Sequence, residues 1–531
     1  MKNEENSKKE IHLNKDKIVK LNLSKSCKIP SVTLIRRRNN AYRIRVNAAS
    51  FQKKLPVFEH KCNGDEELYF KKIGNFSKAL PHNKIGEVDL SAYKAWIMAL
   101  TTSNSRCFEN IPLGGPVKLA NPQASYAYNM IGADSHYFNM AMSPAFNSAE
   151  IAGEMAENYW LALTRDIPFS EYDNSIAINA AAKDLSSFSD FKGPKENCKV
   201  TPKTIFRGNT ADDLVAPYIS QFFYQNIPFG AKTIKQKYRI SIEKDDYMTS
   251  YHEWLHIQNG GSPKLKNNYD TVQRYIVTGR DLSEWVHQDF TYQGFLSACL
   301  IILSYGKDAL AENNPYLGSK TQGGFITFGA AHILDLVSKA AKIALESAWF
   351  QKFLVHRKLR PEEFGGRVHI HMNKQANYDI NSELLNSRAV TKIYSKYGTY
   401  LLPMAYPEGC PTHPAYPAGH ASIAGACATI LKAFFKNDFI LTNPVYPSND
   451  GLSLLSYKDS ALTLGGELNK LASNIALGRD TAGVHWRSDG IEGLKLGEEV
   501  AISILQDYRD CYNEDFIGFS FRKFDGTLVI I

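Results

Sequence analysis

Long apolar runs are missing from this 531-residue chain. The longest, Phe295 to Leu303, falls well short of the roughly 20 residues that a membrane-spanning helix needs. Integral membrane function is therefore not expected, and no membrane partner is predicted. The eight cysteines (Cys27, Cys62, Cys107, Cys198, Cys299, Cys410, Cys427, Cys511) are scattered and include no C-x-x-C pair. That argues against a thiolate metal site and against a dense disulfide framework. No apolar core segment follows the opening Met1-Lys-Asn-Glu-Glu. A signal peptide is thus not expected, and a cytosolic compartment is. A one-sign charge surplus is also absent from most of the chain. The formal net charge is +8, but residues 1–40 hold eight Lys, three Arg and four acids, a net +7. The remainder is close to neutral, so a nucleic-acid-binding fold is not indicated.

What is present is the composition of a globular protein, 44% hydrophobic and 22% charged. Residues 1–40 read as a basic, solvated N-terminal arm. Residues 41–320 are expected to form an N-terminal helical region and 321–531 a C-terminal one, with 41–531 as one compact unit. Asn147 with Glu150 looks like a capping box, followed by Ile151, Met155, Tyr159 and Ala162 at helical spacing. Further helical patterns cover Asp281 to Leu303 (broken near Gly294), Gly329 to His356, His420 to Lys436, Tyr457 to Leu477 and Ser488 to Tyr508. Strand signals are short: Val32 to Ile35, Ala41 to Val46 and Leu528 to Ile531. The fold class read from this is all-α, helical bundles with minor β-hairpins.

Three segments in the last third carry candidate chemistry. In the first, Lys352 lies near the end of the long 329–356 pattern, and Pro361 keeps Arg360 out of helical geometry, just beyond that end. The second is Pro411-Thr-His413-Pro-Ala-Tyr-Pro417-Ala418-Gly419-His420, an ordered turn opening a helix. A helix start preceded by Gly419 offers free backbone N–H groups to an anion. The third, Gly478-Arg479 through His485 to Asp489, puts a cation and a histidine on a loop before the last large helix. Singly, each has an ordinary structural explanation. A basic helix end is favoured by the macrodipole, a lone His is more often a structural hydrogen-bonding group, and a lone Arg is more often an ion-pair partner. Jointly, three cations, a helix N-terminus and two histidines suit a compact tetrahedral oxyanion.

The order Lys-x7-Arg-Pro, Pro-x-Gly-His, Arg-x5-His resembles the vanadium-dependent haloperoxidases, in a superfamily with type 2 phosphatidic acid phosphatases and bacterial acid phosphatases. Trp349, three residues before Lys352, resembles a site tryptophan of that family, and His413, seven before His420, resembles the extra histidine of its bromoperoxidases. Gly74 to His82, Phe206-Arg-Gly-Asn-Thr, Pro217-Tyr-Ile-Ser-Gln-Phe and Leu255 to Gly260 are similar to the algal and cyanobacterial bromoperoxidase branch, so the likeness spans roughly residues 70–510. The resemblance implies a vanadate cofactor with His485 bonded to vanadium. Lys352, Arg360, Arg479 and the Gly419 N–H would hold its oxygens, with His420 as acid–base and His413 nearby. Trp349 would wall the pocket. It also implies hydrogen peroxide, a halide (bromide or iodide, given His413) and a small organic acceptor as partners, and a homo-oligomer, a dimer or larger. One departure stands out: the family usually has Ser where this chain has Ala418, which removes a hydroxyl donor.

Two other enzymes compete. A phosphatase would use the same cradle with His485 as nucleophile, although the seven-residue gap between Lys352 and Arg360, Trp349 and His413 fit the haloperoxidases better. A zinc protease is suggested by His252-Glu253-Trp-Leu-His256, an H-E-x-x-H pattern. It ends within a few residues at Gly260-Gly261-Ser-Pro263 and lacks a third ligand at the expected spacing.

Overall fold

The computed structural model describes residues 33–531. Most of the basic arm expected over residues 1–40 thus lies outside the described residues. The chain divides into two units, Met1–Lys53 and Lys54–Ile531, and the second holds every candidate site residue. In the first, helix α1 (Leu34–Lys53) takes the place of the strand expected at Ala41 to Val46 and of the end of the one expected at Val32 to Ile35, whose Val32 lies outside the described residues. The β-branched residues there alternate over only a few positions. The helix as a whole is free of Gly and Pro and holds five Arg and three Ala, which favour helix.

In the second unit α2 (Ala149–Thr164) is capped by Ser148, whose hydroxyl accepts from Ile151 N. The cap therefore sits one residue after the expected Asn147, which instead donates to Asp379. Helix α3 (Tyr251–Gln258) carries the H-E-x-x-H pattern. The expected helical region from 281 is two helices, α4 (Gly279–Gln288) and α5 (Gln293–Ser304), with Gly294 inside the second rather than at the break. Helix α6 (Ala330–Phe350) runs into a π-helical turn, Gln351–His356. Next comes α7 (Pro361–Met372), unread in the sequence because its Gly365-Gly366 pair interrupts the apolar pattern. The last long helices are α8 (Gly419–Phe434), α9 (Leu464–Thr481) and α10 (Arg487–Arg509). Helix α9 starts seven residues later than the pattern from Tyr457 suggested, because Thr463 supplies its cap.

The strands among the described residues form three two-stranded antiparallel hairpins: β1 (Ile227–Phe229) with β2 (Lys232–Ile234), β3 (Val445–Pro447) with β4 (Leu454–Ser456), and β5 (Ser520–Arg522) with β6 (Leu528–Ile530). The fold is all-α with minor hairpins. No helix among the described residues is long and apolar enough to cross a membrane.

One core joins α6, α8, α9 and α10 with Ile219, Leu282 and Phe295. A second joins α2 with Phe364, Val368, Leu402 and Trp486. Both draw on residues before and after 320. The crossing of α8 and α10 sets the position of the site. A Cβ at Gly425 would strike Leu494 O, one at Gly497 would strike Ser422 O, and one at Gly493 would come within 2.8 Å of Ala418 O. Glycine at these points lets the two backbones touch, bringing the start of α8 against the start of α10.

Candidate functional site

His485 is the centre of the arrangement. It lies in the short loop between α9 and α10, its ring buried. Its Nδ1 is 2.8 Å from Asp489 Oδ2, four residues on in the first turn of α10. Its Nε2 is 2.9 Å from Arg360 Nη1. A guanidinium only donates and a carboxylate only accepts, so the ring carries its proton on Nδ1 and turns the bare Nε2 lone pair toward Arg360. Burial, and then Arg360, Lys352, Arg479 and His413, hold the imidazolium well below the usual histidine range. The ring is neutral, with a lone pair aimed into a cationic space.

Arg360 is the N-cap of α7, held extended by the following Pro361 as expected. It is fully buried and donates from Nε to His413 O (3.0 Å), from Nη1 to Val484 O (2.7 Å) and from Nη2 to His413 Nδ1 (2.9 Å). Lys352, in the π-helical turn, is also fully buried and donates to Pro414 O (2.8 Å) and Ala415 O (2.6 Å). Burial, then Arg360 and Arg479, push its ammonium well below the ordinary lysine value. Arg479 is not on a loop. It sits in the last turn of α9, where Nη1 donates to Val286 O at 2.7 Å and the guanidinium lies 5.6 Å from the Tyr406 ring. Its Nε is buried without a partner.

His413 packs against Trp349, ring centroids 4.6 Å apart, and Trp349 Nε1 donates to Ala120 O. Burial, then Arg360 and Lys352, keep His413 neutral. Ala418 is the N-cap of α8 with no side-chain cap. Its N–H donates to Asp489 O, and its methyl is fully buried. Gly419 opens α8, where a Cβ would meet Leu345 at 3.0 Å and Trp349 at 3.4 Å. His420, its side chain 29% exposed, faces Asp289 Oδ1 at 3.0 Å just beyond the end of α4. The same helix end supplies Val286 O to Arg479. These contacts join Trp349, Lys352, Arg360, His413 and His485, while His420 and Arg479 each meet the end of α4.

Among the described residues no carboxylate pairs with the ammonium or guanidinium of Lys352, Arg360 or Arg479. Three buried cations with only carbonyl and imidazole acceptors are costly unless an anion joins them. The unpartnered Arg479 Nε and the carboxylate-free surroundings fit a small, highly charged oxyanion such as vanadate.

Several functional residues had no reading in the sequence. Asp489 stood four residues after His485, the one available signal, since that spacing faces a helix start. Asp289 and Val286 had none, because they lie 131 and 193 residues from their partners. The zinc pattern does not assemble. His252 is exposed, His256 Nε2 lies 2.9 Å from Ser262 O, and Trp254 turns into the core with Nε1 bonded to Glu362 O. No group of three His, Cys, Asp or Glu among the described residues is placed to hold a metal ion. The protease alternative is therefore corrected: the helix buries Trp254 and Ile257 and leaves its histidines as surface groups.

The chain is similar to known proteins over most of its length. Residues 374–514 match a family described as the VCPO second helical-bundle domain. A vanadium-dependent bromoperoxidase of Ascophyllum nodosum is 35% identical over 493 residues, 88% of this chain and 87% of that protein. One of Corallina pilulifera is 33% identical over 602 aligned positions, covering 95% of this chain and all of its own length. The homohexameric structure of the second vanadate-dependent bromoperoxidase from Ascophyllum nodosum superposes with a TM-score of 0.91 at 29% identity, over 96% of this chain and 93% of that one. With a cationic cradle around a bare histidine nitrogen and relatives alike over nearly its whole length, the chain belongs to the vanadium-dependent bromoperoxidase family.

Proposed function

We propose that the protein is a vanadate-dependent haloperoxidase that oxidises halide, bromide or iodide, with hydrogen peroxide to a hypohalous acid, which halogenates small organic acceptors. The observation that carries this reading is the cluster of buried, carboxylate-free cations around the bare Nε2 of His485. Vanadate, when bound, supplies a Lewis-acidic centre that activates peroxide for oxygen transfer to halide.

The chain's own residues supply the rest. His485 would offer Nε2 to vanadium, and Asp489 fixes the tautomer that leaves that nitrogen unprotonated. Lys352, Arg360 and Arg479 balance the anion's charge, and the Gly419 N–H at the start of α8 adds a donor. Because these groups are buried, their field acts with little screening by water. Peroxide, halide and one proton give hypohalous acid and water, so the site must take up a proton in each cycle. His420 suits that task. Asp289 accepts from its Nε2–H, leaving Nδ1 to exchange a proton, and the side chain is partly open to solvent. His413, packed against Trp349, would form the wall near which halide approaches. The homohexameric relative supports a homo-oligomer here as well.

One other reading keeps a specific observation in its favour. A histidine held by Asp489 with a bare Nε2 is also a nucleophile for a phosphate ester, the acid phosphatase alternative. Two assays on one preparation decide: halide-dependent peroxide consumption with added vanadate, and phosphate-ester hydrolysis without it. The proposal expects the first activity to dominate, and His485→Ala to lose it at least a hundredfold together with bound vanadium. Ester hydrolysis without halide oxidation would overturn it.

A further inference from the structure

Behind His485, on the side away from the cradle, lies a second charged group with no role in the reaction described above. Lys358 is almost fully buried, its ammonium 5.2 Å from the Trp486 ring and 5.7 Å from the Tyr416 ring. It is 3.6 Å from Asp489 Oδ1, the oxygen that does not bond His485. Among the described residues it is the side-chain cation paired with that carboxylate. Lys358 Nζ donates to Ser488 Oγ at 3.1 Å, and Ser488 Oγ donates to Glu154 Oε2 at 3.0 Å. Ser488 N donates to Glu154 Oε1, and Lys358 stands 3.8 Å from Glu154 Oε2. Glu154 comes from α2, more than 300 residues earlier, and pins the first turn of α10, which carries Asp489.

We propose that Lys358, anchored by Glu154 and Ser488, is a positioning residue that holds the Asp489 carboxylate against His485 Nδ1–H and so keeps Nε2 bare for vanadate. This rests on the function proposed above. The physical reason is geometric. Asp489 has one oxygen on two donors, His485 Nδ1 and Trp486 N, and its other oxygen makes no hydrogen bond. Without the ammonium on that free side, the carboxylate can rotate its single-sided hold away from the imidazole. Only the Arg360 Nη1 donor then keeps the proton off Nε2, so the tautomer balance moves toward an Nε2–H that competes with the bond to vanadium. Lys358 is two residues from Arg360, so one short segment serves the cradle in front and the support behind.

The test uses the full chain, stripped of vanadate and carrying 15N-histidine, with orthovanadate as the probe. In the wild type the His485 signals should show a protonated Nδ1 and a bare Nε2. A proton on Nε2 instead overturns the proposal without any variant. Lys358→Met, which keeps the length of the side chain, should mix the two tautomers and weaken orthovanadate binding about tenfold or more. Its thermal transition need not move in step. Glu154→Gln should do the same more weakly, and it serves if Lys358→Met does not fold. A folded variant with the wild-type nitrogen pattern and affinity sinks the idea. If wild type takes up no orthovanadate at all, the proposed function fails, while the tautomer measurement still judges the role of Lys358.

Discussion

Two buried arginines at opposite sides of the α10 start live in opposite electrostatic settings. Arg487 meets Glu157 with two bonds, Nη2 to Oε1 at 2.6 Å and Nε to Oε2 at 2.8 Å. Burial opposes its charge, but Glu157 outweighs burial and lifts its pKa above the ordinary arginine value. Arg360 is equally buried and meets carbonyls and imidazoles only, and burial pulls its pKa down. The first region is closed around its arginine: Arg487 has a carboxylate partner within the chain, and the pair contributes to folding. The second is open, a charge surplus held in place by the first and completed only by an anion from outside.

The sharpest way to break this comparison is to neutralise each arginine. Arg360→Met should weaken orthovanadate binding by roughly a hundredfold yet cost less folding stability than Arg487→Met. The latter strands Glu157 and should cost about 3–5 kcal/mol in urea unfolding. Equal stability losses with equal affinity losses would erase the distinction.

A second expectation concerns pH. Burial raises Glu154, in the closed region, from 4.5 to about 7, with Lys358 pulling the other way. Its folded pKa exceeds its unfolded one, so the native state binds the extra proton. Stability from this group is full below about pH 4.5 and is lost as pH rises toward 7. The change is on the order of 1–3 kcal/mol. Glu154→Gln should flatten that slope in urea titrations taken at several pH values, whereas Arg360→Met should leave it.

A smaller effect is expected at the rim of the open region. Ala418→Ser puts a hydroxyl at an N-cap that now has none, worth about 1 kcal/mol of stability. If that hydroxyl also reaches vanadate, affinity rises by up to tenfold or so, as one added charge-assisted hydrogen bond allows. Thermal melts with and without orthovanadate separate the two gains. The smallest effect belongs to the surface histidines of α3. His252→Ala should change stability by less than about 0.5 kcal/mol and leave halide oxidation and zinc content unaltered, read by melting, peroxide assay and elemental analysis.

Much of the open region was legible in the sequence because the groups that bind a compact anion are of few kinds. Lys352, Arg360, Gly419, His420, Arg479 and His485 stand in three short segments whose spacing survives in the fold. The prolines around Arg360 and His420 made their local geometry predictable as well. The closed region was not legible. Glu154 and Glu157, like Asp289 at the rim of the open region, look like any acidic residue on a helix or at its end, and nothing near them in the chain marks their partners. The strands assigned within residues 32–46 went wrong for the complementary reason: a few β-branched residues outweighed a longer run of good helix formers.

The sequence by itself determined the helical class, the start of α8 after its proline-rich turn, and the identity of the cations and histidines, since each follows from residue type and near-neighbour spacing. Only the tertiary structure decided which of those cations stay without a carboxylate, which nitrogen of His485 is bare, and that glycines at the α8–α10 crossing bring the two helix starts together. Those outcomes depend on groups hundreds of residues apart, and long-range distances are set by packing, on which local pattern has no purchase.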